Sequence, residues 1–118
     1  MAIASFGYLI IISLIDRYNL SLNNVITFGT ITGTNTNQKH TCGGVDFTFF
    51  VSNKEYHGST GYCDLSSAFC ESLIGRKFPV IYCPKKISNN QMLLTKAMFK
   101  DYNVPYPDSL EWIEEYVR

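Results

Sequence analysis

The side chains of this chain with the most latent chemistry are its four cysteines, Cys42, Cys63, Cys70 and Cys83, and its two histidines, His40 and His57. His40 lies two residues from Cys42 and His57 six from Cys63, which makes Cys-His nucleophilic catalysis the sharpest enzymatic reading to weigh. A reactive thiol needs a base that lowers its pKa and a third group that orients that base. Sequence neighbours on a loop supply neither, so His40 reads as a solvated loop residue and His57 as an outward strand residue. No two cysteines have C-x-x-C spacing, and zinc ribbons and fingers are excluded with it. The carboxylates Asp46, Glu55, Asp64 and Glu71 are scattered among strands and helix ends, while Glu111, Glu114 and Glu115 fit a solvated helix face. Gly29-Thr-Ile-Thr-Gly33 and His57-Gly-Ser-Thr-Gly61 lack both the G-K-[ST] ending and the G-x-G-x-x-G order of phosphate loops, and read as strand glycines. From these residues we expect no catalytic, metal or cofactor-binding group, no cofactor and no small-molecule substrate.

The thiols have two readings, four buried cysteines or two disulfides, and the compartment decides between them. If the domain is exported, the hairpin described below brings Cys63 within reach of Cys42, and a short helix brings Cys70 towards Cys83.

The 118 residues carry ten basic and ten acidic side chains. A net charge of zero gives no field to recruit nucleic acid, so no nucleic-acid partner is expected. Residues 1–20 form a separate apolar segment, dominated by the almost uninterrupted apolar run from Met1 to Ile15 and closed by Asp16 and Arg17. A bilayer-spanning helix needs about 20 apolar residues, with a lower limit near 17, so the run is slightly short. It lacks the basic n-region and the small-residue cleavage site of a secretory signal. An apolar N-terminal helix that anchors the chain through residues 1–17 is the favoured reading, ahead of a buried helix or strand and of a cleaved signal.

Residues 25–118 form one small domain, mainly β. Val25 to Thr32 is rich in β-branched residues and reads as a strand, followed by a polar loop from Thr34 to Gly44. Val45, Phe47, Phe49 and Val51 alternate with Asp46, Thr48, Phe50 and Ser52, the pattern of a half-buried strand. Asn53-Lys54 makes a two-residue turn, and Glu55 to Thr60 returns antiparallel, with Val51 facing Tyr56 and Phe50 facing His57. Asp64 caps a helix from Leu65 to Leu73, stopped by Gly75. Phe78 to Cys83 is a strand whose Pro79 suits an edge or a bulge. Lys85 to Asn90 turns, Gln91 to Lys96 is the last strand, and Ala97 to Asn103 extends it or is irregular. Asp108 at N-cap with Glu111 three residues on opens a terminal helix with Leu110, Ile113 and Val117 on one face. Trp112 should anchor that helix on the sheet.

The G-x-I-x-G of residues 29–33, the hairpin ending Asn-Lys-x-Tyr-x-Gly, and Ile-Gly-Arg-Lys-Phe-Pro-Val-x-Tyr-x-Pro at residues 74–84 together resemble small Bacteroidetes proteins of unknown function. The likeness runs from Val25 to Lys96, and Pro107 to Trp112 echoes a C-terminal feature of the same group. Members of that domain-of-unknown-function family pair one N-terminal transmembrane helix with a small β-barrel, and the resemblance implies that fold and no activity.

The expected fold is therefore α+β, a small five-stranded bent sheet or partly open barrel with a short inserted helix and a C-terminal helix. The expected function is a non-enzymatic, membrane-anchored protein-binding module, with the domain on the extracytoplasmic side and an unknown protein partner. Asn35, Asn37, Lys39, His40 and His57 form the surface expected to meet it. An immunity protein that neutralises a toxin is the second reading, and a small enzyme of unrecognised type the third.

Overall fold

The computed structural model describes residues 24–35 and 42–118; the apolar segment expected to anchor the chain lies outside them, as do Asn37, Lys39 and His40. Five antiparallel strands, β1 (Val25–Thr34), β2 (Gly43–Val51), β3 (Lys54–Tyr62), β4 (Lys77–Cys83) and β5 (Lys86–Met92), form one sheet in the order β3-β2-β1-β4-β5. Helix α1 (Ser67–Ser72) joins β3 to β4, α2 (Lys96–Asp101) follows β5, and a 3-10 helix covers Asp108–Tyr116. Among the described residues no helix is long and apolar enough to cross a membrane.

The sheet curls until its edge strands meet, giving a nearly closed barrel. Side chains bridge the remaining gap: Thr60 Oγ1 on β3 accepts from the Met92 N–H at 3.1 Å, and the Tyr62 hydroxyl donates to the Met92 carbonyl. They satisfy edge groups that a backbone ladder would otherwise pair. Gly58 permits this approach, because a Cβ there would run into the Asn90 side-chain oxygen and the Phe47 ring.

Alternation along β2 sends Val45, Phe47 and Phe49 inward, where all three are buried. The Phe49 ring packs on Tyr56 at 5.8 Å and on Tyr82 at 5.9 Å, so β2, β3 and β4 share one aromatic core. Strand β4 is buried from Phe78 to Cys83 and lies inside the sheet between β1 and β5, not at the edge that Pro79 suggested. The Pro79 carbonyl accepts from the Leu93 N–H at 2.9 Å, beyond the last ladder pair, Val80 with Met92. Its missing donor thus falls where β5 leaves the sheet, and the ladder to β1 is untouched.

Three local expectations are corrected. The β2–β3 turn is Ser52-Asn53, both with positive φ (51° and 65°), so Phe49 faces Tyr56 and Thr48 faces His57. The polar stretch expected to turn is strand β5 itself, and Lys96–Asp101 is a helix whose Thr95 cap accepts from the Met98 N–H. The caps also differ. Ser66, not Asp64, caps α1, its hydroxyl accepting from the Phe69 N–H at 3.1 Å. Asp108 makes no side-chain cap bond, because the terminal segment winds as a 3-10 helix after Pro107. Its three-residue turn stacks Leu110 over Ile113, and both are buried. Ser66→Ala should therefore cost about 1 kcal/mol, and Asp108→Ala under about 0.5 kcal/mol, in chemical denaturation. The reverse order would contradict these cap assignments.

Candidate functional site

Both hairpin turns and the start of β1 lie at one end of the barrel, and all three helices are attached to the other. The helical end carries the most built surface. Phe69 on α1 stacks on Tyr116 of the terminal helix, centroids 4.4 Å apart, and meets Trp112 edge-on at 6.1 Å. The Arg76 guanidinium, brought there by the turn after α1, sits over the Trp112 ring at 5.3 Å. Between the two helices these side chains line a groove of about 500 Å³, with Ser66 and Ser72 on its α1 side. The C-terminus fastens the arrangement: the Arg118 backbone N–H donates to the Asp64 carbonyl at 2.9 Å. Trp112 is half-buried, a groove wall as well as an anchor. The sequence marked Trp112 as the anchor of this helix, but its partners Phe69 and Arg76 lie too far away in the chain to be read from spacing.

The surface expected from the sequence is partly assembled. His57 lines a shallow depression on the outer face of β2 and β3 together with Thr32, Asp46 and Ser59, and Asn35 reaches it only through its bond to Asp46. The Asp46 carboxylate accepts from Asn35 Nδ2 at 3.1 Å and from Ser59 Oγ at 2.6 Å, which ties Asn35, just after β1, to β2 and β3. His57 is exposed as expected, and its Nε2 lies 3.3 Å from a Glu55 carboxylate oxygen, so the ring is occupied on its own strand. Asp46 acts here as a strut between elements.

Cys42 and Cys63 form a disulfide, with Cα atoms 4.1 Å apart. The corrected register explains it, since Gly43 pairs with Tyr62 and the two cysteines sit directly across from one another one residue further on. Cys70 and Cys83 do not pair, contrary to expectation: both are buried free thiols. Cys70 points into the contact between α1 and β2, where a Cβ on Gly43 would lie 2.6 Å from its sulfur. Burial, with Asp64 adding to it, raises the Cys70 pKa from 9.0 to about 11. Between those values the unfolded chain releases a proton that the folded chain keeps, so this contribution is intact below about pH 9 and is lost as pH rises towards 11. Unfolding midpoints measured across that range should fall, and fall less in Cys70→Ala; equal slopes would contradict the assignment. Burial also holds the Tyr62 hydroxyl protonated well above its usual range, and Tyr106 is raised to about 12 by burial, then by Glu114 and Glu111.

Among the described residues no cluster of His, Cys, Asp or Glu is arranged to hold a metal ion. Comparison with protein-family models, with curated proteins and with solved structures finds no match.

Proposed function

We propose that this chain is a non-enzymatic, membrane-anchored protein-binding module, with the barrel on the extracytoplasmic side and the partner seated in the groove between α1 and the terminal helix. The observation that carries the reading is the convergence of Trp112, Tyr116 and Arg76 on one open groove. Trp, Tyr and Arg are the side chains most enriched at the energetic centres of protein interfaces, because each joins a large apolar surface to a polar tip. The Cys42–Cys63 disulfide supports an oxidising compartment. The apolar run at residues 1–15 supports the anchor.

Three exposed carboxylates on the terminal helix, Asp108, Glu111 and Glu115, lie outside the groove lining and favour a basic rim on the partner. That acidity keeps an inhibitor of a secreted toxin as the second reading. A photo-crosslinking amino acid at Ser72, on the groove, and another at Ser59, on the outer face, tests the proposal in cells. Adducts to one protein from Ser72 and none from Ser59 are expected. Adducts from Ser59 alone would move the site to the outer face.

A further inference from the structure

A net charge of zero conceals an uneven distribution. At the turn end, Lys54 follows the β2–β3 turn, Lys85 lies in the β4–β5 turn and Lys86 opens β5, against the single acid Glu55 among the described residues. Among the described residues the helical end holds seven carboxylates, four of them in the terminal helix, against five basic side chains, so it is modestly acidic where the turn end is modestly basic. The turn end also holds most of the large apolar side chains left exposed by the fold: Phe28 at 65 %, Phe50 at 59 %, Ile26 at 45 % and Val25 at 42 %. Ile26 and Phe28 share the outer face of β1. Gly29 pairs with Phe49, which places Phe50 beside Phe28 across the β1–β2 ladder. Single exposed apolar side chains are ordinary on a small domain, whereas neighbours of this size on one face are candidates for an interaction surface.

We infer that this end of the barrel is a membrane-contact surface, on which Phe28, Phe50 and Ile26 dip into the acyl boundary of a bilayer while Lys54, Lys85 and Lys86 meet anionic headgroups. Two features favour lipid over a protein partner. Apolar side chains flanked by lysines match the layered chemistry of an anionic bilayer, apolar below and negative at its surface. The chain also arrives at this end: the apolar run stops at Asp16, and only the short stretch to Asn24 separates it from β1. At no more than about 3.5 Å per residue, a tether of that length keeps Val25 near the bilayer if the run is inserted. The inference rests on the anchored reading for this last point, and it turns the aromatic groove away from the membrane, towards a partner.

The test uses the full chain and vesicles of phosphatidylcholine with phosphatidylglycerol, carrying brominated acyl chains as quenchers. Trp112, the single native tryptophan, stays in place as a reference at the helical end. Phe28→Trp, and separately Phe50→Trp, adds a reporter at the turn end. The added emission should shift to the blue and be quenched on these vesicles, with Trp112 unquenched. Reversing the three lysines (Lys54→Glu, Lys85→Glu, Lys86→Glu) should lower the ratio of docked to undocked domain by about a hundredfold. A chain that sediments with the vesicles while neither added reporter is quenched overturns the contact surface and leaves the anchor standing. A chain that remains in the supernatant overturns both. Equal quenching in pure phosphatidylcholine overturns the anionic-lipid assignment, and emission already blue-shifted without vesicles overturns it in favour of an occupant from the chain itself.

Discussion

Phe49→Ala is expected to lower the free energy of unfolding by about 3–5 kcal/mol, a large share of the roughly 5–15 kcal/mol that holds a domain of this size together. The ring is buried, and it joins β3 to β4 through its contacts with Tyr56 and Tyr82. Truncation leaves a cavity where three strands meet, and a curved sheet closed partly by side chains has little freedom to collapse around it. The next residue supplies the control. Phe50 is mostly exposed on the opposite face, so Phe50→Ala should change stability by under about 0.5 kcal/mol. Urea unfolding measures both, with the midpoint read at constant slope. Similar losses from the two substitutions would contradict the inward and outward assignments of β2.

Loss of the Cys42–Cys63 bond, by Cys42→Ser with Cys63→Ser, is expected to cost about 3 kcal/mol. The crosslink spans a sequence separation of 21 and encloses the whole β2–β3 hairpin. Its removal restores the freedom of that loop in the unfolded chain. In the folded chain it also pins the start of β2 to the approach to α1, where the Gly43 N–H donates to the Leu65 carbonyl at 2.9 Å. Thiol titration without reductant should find the two buried cysteines only after denaturation. Four titratable thiols, or a double variant as stable as the native chain, would contradict the bond.

The β2–β3 hairpin was legible because period-two alternation is a local signal: Val45, Phe47 and Phe49 had to share a face whatever the turn. The turn was displaced because Ser52 adopts a left-handed conformation unusual for serine. That moved the register by two residues, which preserves faces but changes partners. The Cys42–Cys63 pairing survived the change and became more direct. Strand β5 was hidden, since Lys-Ile-Ser-Asn-Asn-Gln-Met has little strand propensity and is held by pairing with β4. The terminal helix was found from Leu110 and Ile113, but their spacing of three fits a 3-10 turn as well as an α-helix. The aromatic groove was not legible at all, because it is made by Phe69, Arg76 and Trp112, which only the fold brings together. The apolar cluster was equally hidden: Phe28 and Phe50 sit in strand patterns, and nothing local says that their face is left uncovered.

The proposal that this is an anchored, exported binding domain is tested most directly by fractionating cells that produce either the full chain or a version starting at Ser21, with the Cys42–Cys63 bond assayed by thiol labelling in each fraction. The full chain should remain with alkali-washed membranes carrying that disulfide, and the shortened chain should be soluble. Equal recovery of both chains in the soluble fraction, with Cys42 and Cys63 reduced, would contradict the anchor and the compartment together.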